Sequence, residues 1–120
     1  MAENRPIKEA AEKYAENLIK QEFSEKISSI ILFGSVARGT ADVNSDIDIL
    51  ILVEDWEDVE PIKSKARNHS ERKVKISNEL VPVVETVEEY KENLENEERF
   101  EKNVSKDGII LEGEELDFKS

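Results

Sequence analysis

The chain has 120 residues, with 17 Lys+Arg against 29 Asp+Glu, a formal net charge of −12 and no cysteine. That length predicts one domain over residues 1–120, with a modest core and no room for a second. The acid surplus argues against grip on a nucleic-acid backbone, which runs on Lys and Arg neutralising phosphates. The lack of cysteine excludes a disulfide framework and a thiolate metal site. No apolar run nears the roughly 20 residues of a membrane span or forms a signal-peptide core, so the expected location is cytoplasmic.

In chain order, Ile7, Ala11, Tyr14, Leu18 and Phe23 recur at helical spacing and predict an amphipathic helix from Pro6 to about Phe23, with Pro6 in its first turn. After a break at Ser24-Glu25-Lys26, the apolar run Ile30-Ile31-Leu32-Phe33 has the length and β-branching of a strand. Gly34-Ser35 ends it, and a polar loop through Arg38, Gly39 and Thr40 follows. Ile47 to Val53 is apolar on both faces beyond Asp48, the pattern of a central strand covered on both sides.

Glu54 to Asp58 is an acidic turn in which Trp56 either stacks on a base or, the safer reading, packs against the sheet. A second helix is expected from about Val59 to Ile76, with Ile62, Ala66 and His69 on one side. His69 is read as structural rather than catalytic. Leu80 to Val84 forms a third strand, and Pro82 puts it at an edge or gives it a bulge. Thr86 and Glu89 match a capping box, starting a helix through about Leu94. A short helical stretch with Phe100 and Val104, a turn at Asp107-Gly108 and a last strand Ile109-Ile110-Leu111 complete the pattern, and the acidic tail from Glu112 should fray. The fold class is α/β (α+β): a small mixed sheet of about four strands with helices packed against it.

Two aspartates open the central strand. Asp46 and Asp48 are two residues apart, so they share a face at roughly 6.5–7 Å along the backbone. Carboxylates that close repel unless a cation lies between them, and Mg²⁺ takes one or two carboxylates with waters and phosphate oxygens. The Gly34-Ser35 turn adds backbone N–H groups and a hydroxyl suited to phosphate. A phosphate cradle beside a metal pair implies chemistry on a nucleoside triphosphate. Arg38 either forks onto a phosphate or pairs with an acid to brace the loop. Ser45 either caps the strand entrance or touches a phosphate.

The string Gly34-Ser35-x-Ala37-Arg38-Gly39, five residues, then Ser45-Asp46-x-Asp48 resembles the signature of the polymerase-beta-type nucleotidyltransferase superfamily. More narrowly it is similar to the minimal nucleotidyltransferase (MNT) domains of prokaryotes. The resemblance implies the nucleotidyltransferase fold and Mg²⁺-dependent transfer of a nucleoside monophosphate, AMP from ATP, to a hydroxyl of an acceptor. Gly34, Ser35, Arg38 and Ser45 would then bind the nucleotide, and Asp46 and Asp48 would hold the metal. It further implies a third acid on the neighbouring strand, at the position of Pro82, which cannot bind metal. Glu79 and Glu85 bracket that strand as substitutes, although by period-two parity both face away from Pro82 unless a bulge intervenes. The resemblance also implies a helical partner protein, as in pairs where an MNT antitoxin modifies a HEPN-class toxin. The alternative is a weak or inactive nucleotide-binding, antitoxin-like module that acts by docking its partner.

Overall fold

A computed structural model describes residues 4–21, 25–41, 45–73 and 80–113, without the side chains of 4–6 and 69–73. Helix α1 (Asn4–Leu18) precedes strand β1 (Ile27–Phe33), the short helix α2 (Gly34–Arg38) and strand β2 (Ile47–Val53). Helix α3 (Val59–Lys73), strand β3 (Leu80–Thr86), helices α4 (Val87–Glu95) and α5 (Arg99–Asp107) and strand β4 (Ile109–Gly113) follow. The strands form one mixed sheet in the order β3-β2-β1-β4. β1 is antiparallel to both β2 and β4, while β2 and β3 run parallel across the α3 connection. A parallel pair needs such a crossover, because a tight turn reverses the chain.

Strand alternation sorts the core into two layers. Ile30, Leu32, Ile49 and Ile51 face α1 and α3, meeting Ala11, Tyr14, Leu18 and Ile62. Ile31, Leu50 and Leu52 face α4 and α5, meeting Val87, Tyr90 and Val104. β2 is therefore covered on both faces, as its unbroken apolar run requires. Tyr14 satisfies its buried hydroxyl by donating to the Ala66 carbonyl at 2.9 Å, tying α1 to α3. The capping box is present at Thr86, whose Oγ1 accepts the Glu89 N–H at 3.0 Å.

Several boundaries differ from the sequence pattern. α1 ends at Leu18, and the chain tightens through Lys20 N–H to Asn17 O and Gln21 N–H to Leu18 O. Phe23, Ser24 and Ile76 lie outside the described residues. β1 begins earlier than its apolar run, at Ile27, because Ser29 is buried by pairing on both sides, with Leu52 and Gly113. For the same reason Glu112 belongs to β4 rather than to a frayed tail: it pairs with Ile30. The Gly34–Arg38 segment, read as loop, winds into a helical turn. Trp56 does not pack on the sheet; it is 77% exposed on a short 3₁₀ turn. β3 is the edge strand that Pro82 predicts, and its alternation runs without a bulge.

These placements separate two substitutions sharply. Leu50→Ala should cost about 2–5 kcal/mol of unfolding free energy by urea denaturation, because Leu50 is sealed between β2 and the α4–α5 layer. Trp56→Ala should stay within about 0.5 kcal/mol.

Candidate functional site

The candidate site forms where β1 ends and β2 begins. Phe33, the last residue of β1, pairs with Asp48, the second residue of β2. The chain leaves β1 through Gly34 at φ +77°, a left-handed conformation that glycine adopts without steric cost. A β-carbon on Gly34 would run into the Asp48 carboxylate, with its Cγ only 3.2 Å away. Glycine thus serves twice here, in conformation and in leaving space for a carboxylate. Phe33 at the N-cap of α2 supplies no side-chain hydrogen bond, and Ser35 sits half-buried in the first turn. The turn is closed by Thr40, whose N–H donates to the Ser35 carbonyl at 3.0 Å, and by Gly39 in the left-handed region.

Asp46 lies exposed just before β2, and Asp48 is half-buried within it. Burial raises the affinity of Asp48 for a proton, the neighbouring Asp46 charge adds to that, and the Arg38 charge opposes both. Ser45 is half-buried next to Asp46, at the entrance to the strand. Arg38 has an acidic partner: its Nη1 stands 3.7 Å from Oδ2 of Asp107, at the end of α5. The structure therefore brings Gly34, Ser35 and Arg38 of α2 to the start of β2, where Ser45, Asp46 and Asp48 lie.

The third carboxylate is another matter. The parallel register pairs Asp48 with Val81 and Ile49 with Pro82. Paired residues share a face, so the position beside Asp48 is Val81, not Pro82, which faces the α1–α3 layer. Glu85 shares the face of Asp48 but pairs with Leu52, four residues further on and about 13 Å along the strand. Its carboxyl instead meets Glu101 beneath α4 and α5, and its Oε1 is buried without a protein hydrogen-bond partner. Glu101 is 3% exposed and accepts from Asn93 Nδ2 at 3.1 Å. Burial first, then Glu101 and Glu89, push the Glu85 carboxyl up to about 8. Glu79 lies outside the described residues, as does the His69 side chain.

Among the described residues no group of three or more acidic, His or Cys side chains is gathered for a metal. Two aspartates with a glycine held open beneath one of them still fit Mg²⁺, an ion that keeps waters and fills its remaining positions with substrate oxygens. An unrelated groove of about 550 Å³ lies at the other end of β2, with Trp56 on its wall among acidic residues such as Glu54 and Glu88. Sequence reasoning missed Asp107, which the pattern offered only as a turn residue before Gly108. Among the described residues no helix is long and apolar enough to cross a membrane.

Comparison with known proteins agrees with this fold. Residues 13–111 match the family model described as a nucleotidyltransferase domain. Two provisionally named protein adenylyltransferases of Methanocaldococcus jannaschii are similar to the chain over shorter stretches. One is 58% identical over 33 residues, 28% of this chain and 22% of that protein. The other is 46% identical over 52 residues, 43% of this chain and 47% of that protein. Each match thus spans less than half the length of the relative. Among solved structures, a toxin–antitoxin crystallised with AMP-PNP superposes with a TM-score of 0.52 at 22% identity, covering 90% of this chain and 77% of that one. A mutant of the toxin–antitoxin MntA-HpeT gives 0.51 at 20% identity, covering 90% and 80%. At these identities the likeness establishes a shared fold.

The Glu85–Glu101 pair makes stability depend on pH. The folded protein raises Glu85 from 4.5 to about 8, so it holds a proton that the unfolded chain has released over that window. The Glu85 contribution is present in full below about pH 4.5 and is lost as pH rises through about 8. Glu85→Gln keeps the neutral form, and its melting temperature should exceed the wild type's by several degrees at pH 9 while matching it near pH 4.5.

Proposed function

Because the chain belongs to the nucleotidyltransferase domain family, we propose that it transfers AMP from ATP to a hydroxyl on a partner protein in the cytoplasm. The observation that carries this reading is the Asp48 carboxylate lying over Gly34, close enough to Asp46 to feel its charge. Mg²⁺ held by Asp46 and Asp48 would neutralise charge on the triphosphate. Gly34 and Ser35 receive the β- and γ-phosphates, Ser45 lies against the same group, and Arg38 turns its remaining donors to phosphate. The acceptor oxygen attacks the α-phosphorus in line, the bond to the β-phosphate bridging oxygen breaks, and pyrophosphate leaves. The acceptor's proton is released to solvent.

A protein acceptor is supported by the adenylyltransferase names of the two M. jannaschii relatives. The two solved neighbours described above are toxin–antitoxins, and a helical partner of the HEPN class is our reading for this chain. A second reading has its own support. Val81 beside Asp48 is apolar and Glu85 is committed to Glu101, which favours a domain that binds nucleotide and acts by docking with little turnover.

Calorimetric titration of Mg²⁺-ATP, followed by incubation of labelled ATP with a cell extract, tests both readings. Wild-type binding should need Mg²⁺ and weaken at least about tenfold, or about 1.4 kcal/mol, in Asp46→Asn/Asp48→Asn, with label reaching protein only in the wild type. Binding without transfer would select the docking module. No binding by the wild type would sink both.

A further inference from the structure

Asp107 is the last residue of α5, where the helix dipole presents its negative end and an aspartate is unfavourable. A local rule broken at a fixed position asks for a compensating partner. Arg38 is that partner, at 3.7 Å. The two sides of the pair differ in freedom. The Asp107 side chain is 23% exposed and that of Arg38 46%. α5 is clamped to the sheet by Val104, which is fully buried, and by Phe100, whose ring meets Phe33 edge-on at a centroid separation of 5.2 Å. The next residue, Gly108, has no room for a β-carbon, which would strike the Val104 carbonyl oxygen and stand 2.9 Å from Ile31 Cγ2. Packing therefore sets where the Asp107 carboxylate stands, and the long Arg38 side chain comes to it.

Phe33 is also the residue that pairs with Asp48. The element carrying Asp107 thus rests on the strand end that builds the candidate site, and the Arg38 charge is felt at Asp48. A guanidinium has five N–H donors, so one carboxylate contact leaves most of them for phosphate. An arginine left free would lose rotamer freedom on meeting a ligand, a cost that a partner already in place reduces.

We propose that Asp107 is a positioning residue, holding Arg38 beside the Asp46–Asp48 pair so that its guanidinium meets the nucleotide's phosphates already ordered. The proposal rests on the nucleotide reading above.

Mg²⁺-ATP affinity and transfer kinetics would be measured for the wild type, Asp107→Asn, Asp107→Glu, Arg38→Ala and Arg38→Ala/Asp107→Asn, each checked for folding by circular dichroism. Asp107→Asn should weaken Mg²⁺-ATP about three- to tenfold, the range expected for one side chain that must be ordered on binding. It should raise KM with kcat changed less than about twofold, the signature of lost binding rather than lost chemistry. Asp107→Glu should recover most of the loss, and adding Asp107→Asn to Arg38→Ala should change nothing further. Equal affinity in wild type and Asp107→Asn, or an undiminished loss in the Arg38→Ala background, would overturn the positioning role while leaving the nucleotide reading standing. A wild type that does not bind Mg²⁺-ATP would overturn the nucleotide reading and this proposal with it. Should Asp107→Asn fail to fold, Asp107→Ser replaces it with the same expected loss, and equal affinity in the wild type and Asp107→Ser refutes the role.

Discussion

Pairing of Phe33 with Asp48 across β1 and β2 carries a carboxylate against the α-carbon of Gly34, and no side chain fits between them. That contact constrains three things together. β1 must end at Phe33, the backbone must turn through a left-handed residue, and α2 must start directly beside the acidic entrance to β2. The rest of the sheet holds this junction still. β2 is buried along nearly its whole length, so Asp48 stands on a rigid rod rather than a loop, and a site on such an element keeps its geometry.

Much of this was written in the sequence because the elements obey local rules. The bounds of β2 follow from its apolar run and its flanking polar residues, and the start of α4 from the chemistry of Thr86 and Glu89. The motif from Gly34 to Asp48 broke the apolar pattern where the structure puts its acids, which is how it could be found. What stayed illegible depends on register and on tertiary neighbours. Nothing local says that Val81 rather than Pro82 lies beside Asp48, since a shift of one residue turns every side chain to the other face. Ser29 and Glu112 carry no strand signal and become strand residues only because β1 and β4 meet. Trp56 looked like a core residue by type, yet its short acidic turn leaves it outside. Asp107 gained meaning only once α5 came to rest against α2.

Acidic groups in this chain are thus divided among different tasks. Asp46 and Asp48 gather at the open end of β2, where solvent can stabilise their charge. Glu85 and Glu101 are set between sheet and helices, where two charges so close cannot both persist and one carboxyl keeps its proton. The first pair stands open to solvent and the second keeps a proton, so similar side chains acquire opposite chemistry from burial.

The sheet order also bears on how the chain assembles. β1 pairs with β2 close by in sequence but also with β4, with Ile31 facing Ile110 across most of the chain. Contacts of long sequence separation carry a larger loop-closure cost and slow the search for the native state. The β1–β2 junction that seats Asp48 over Gly34 can therefore form early, from local contacts. The ion pair of Arg38 with Asp107 needs α5 in place, and β4 must pair along the far edge of β1 for the sheet to be complete. The candidate site thus joins a junction built from residues close in sequence to an ion pair, Arg38–Asp107, that spans most of the chain.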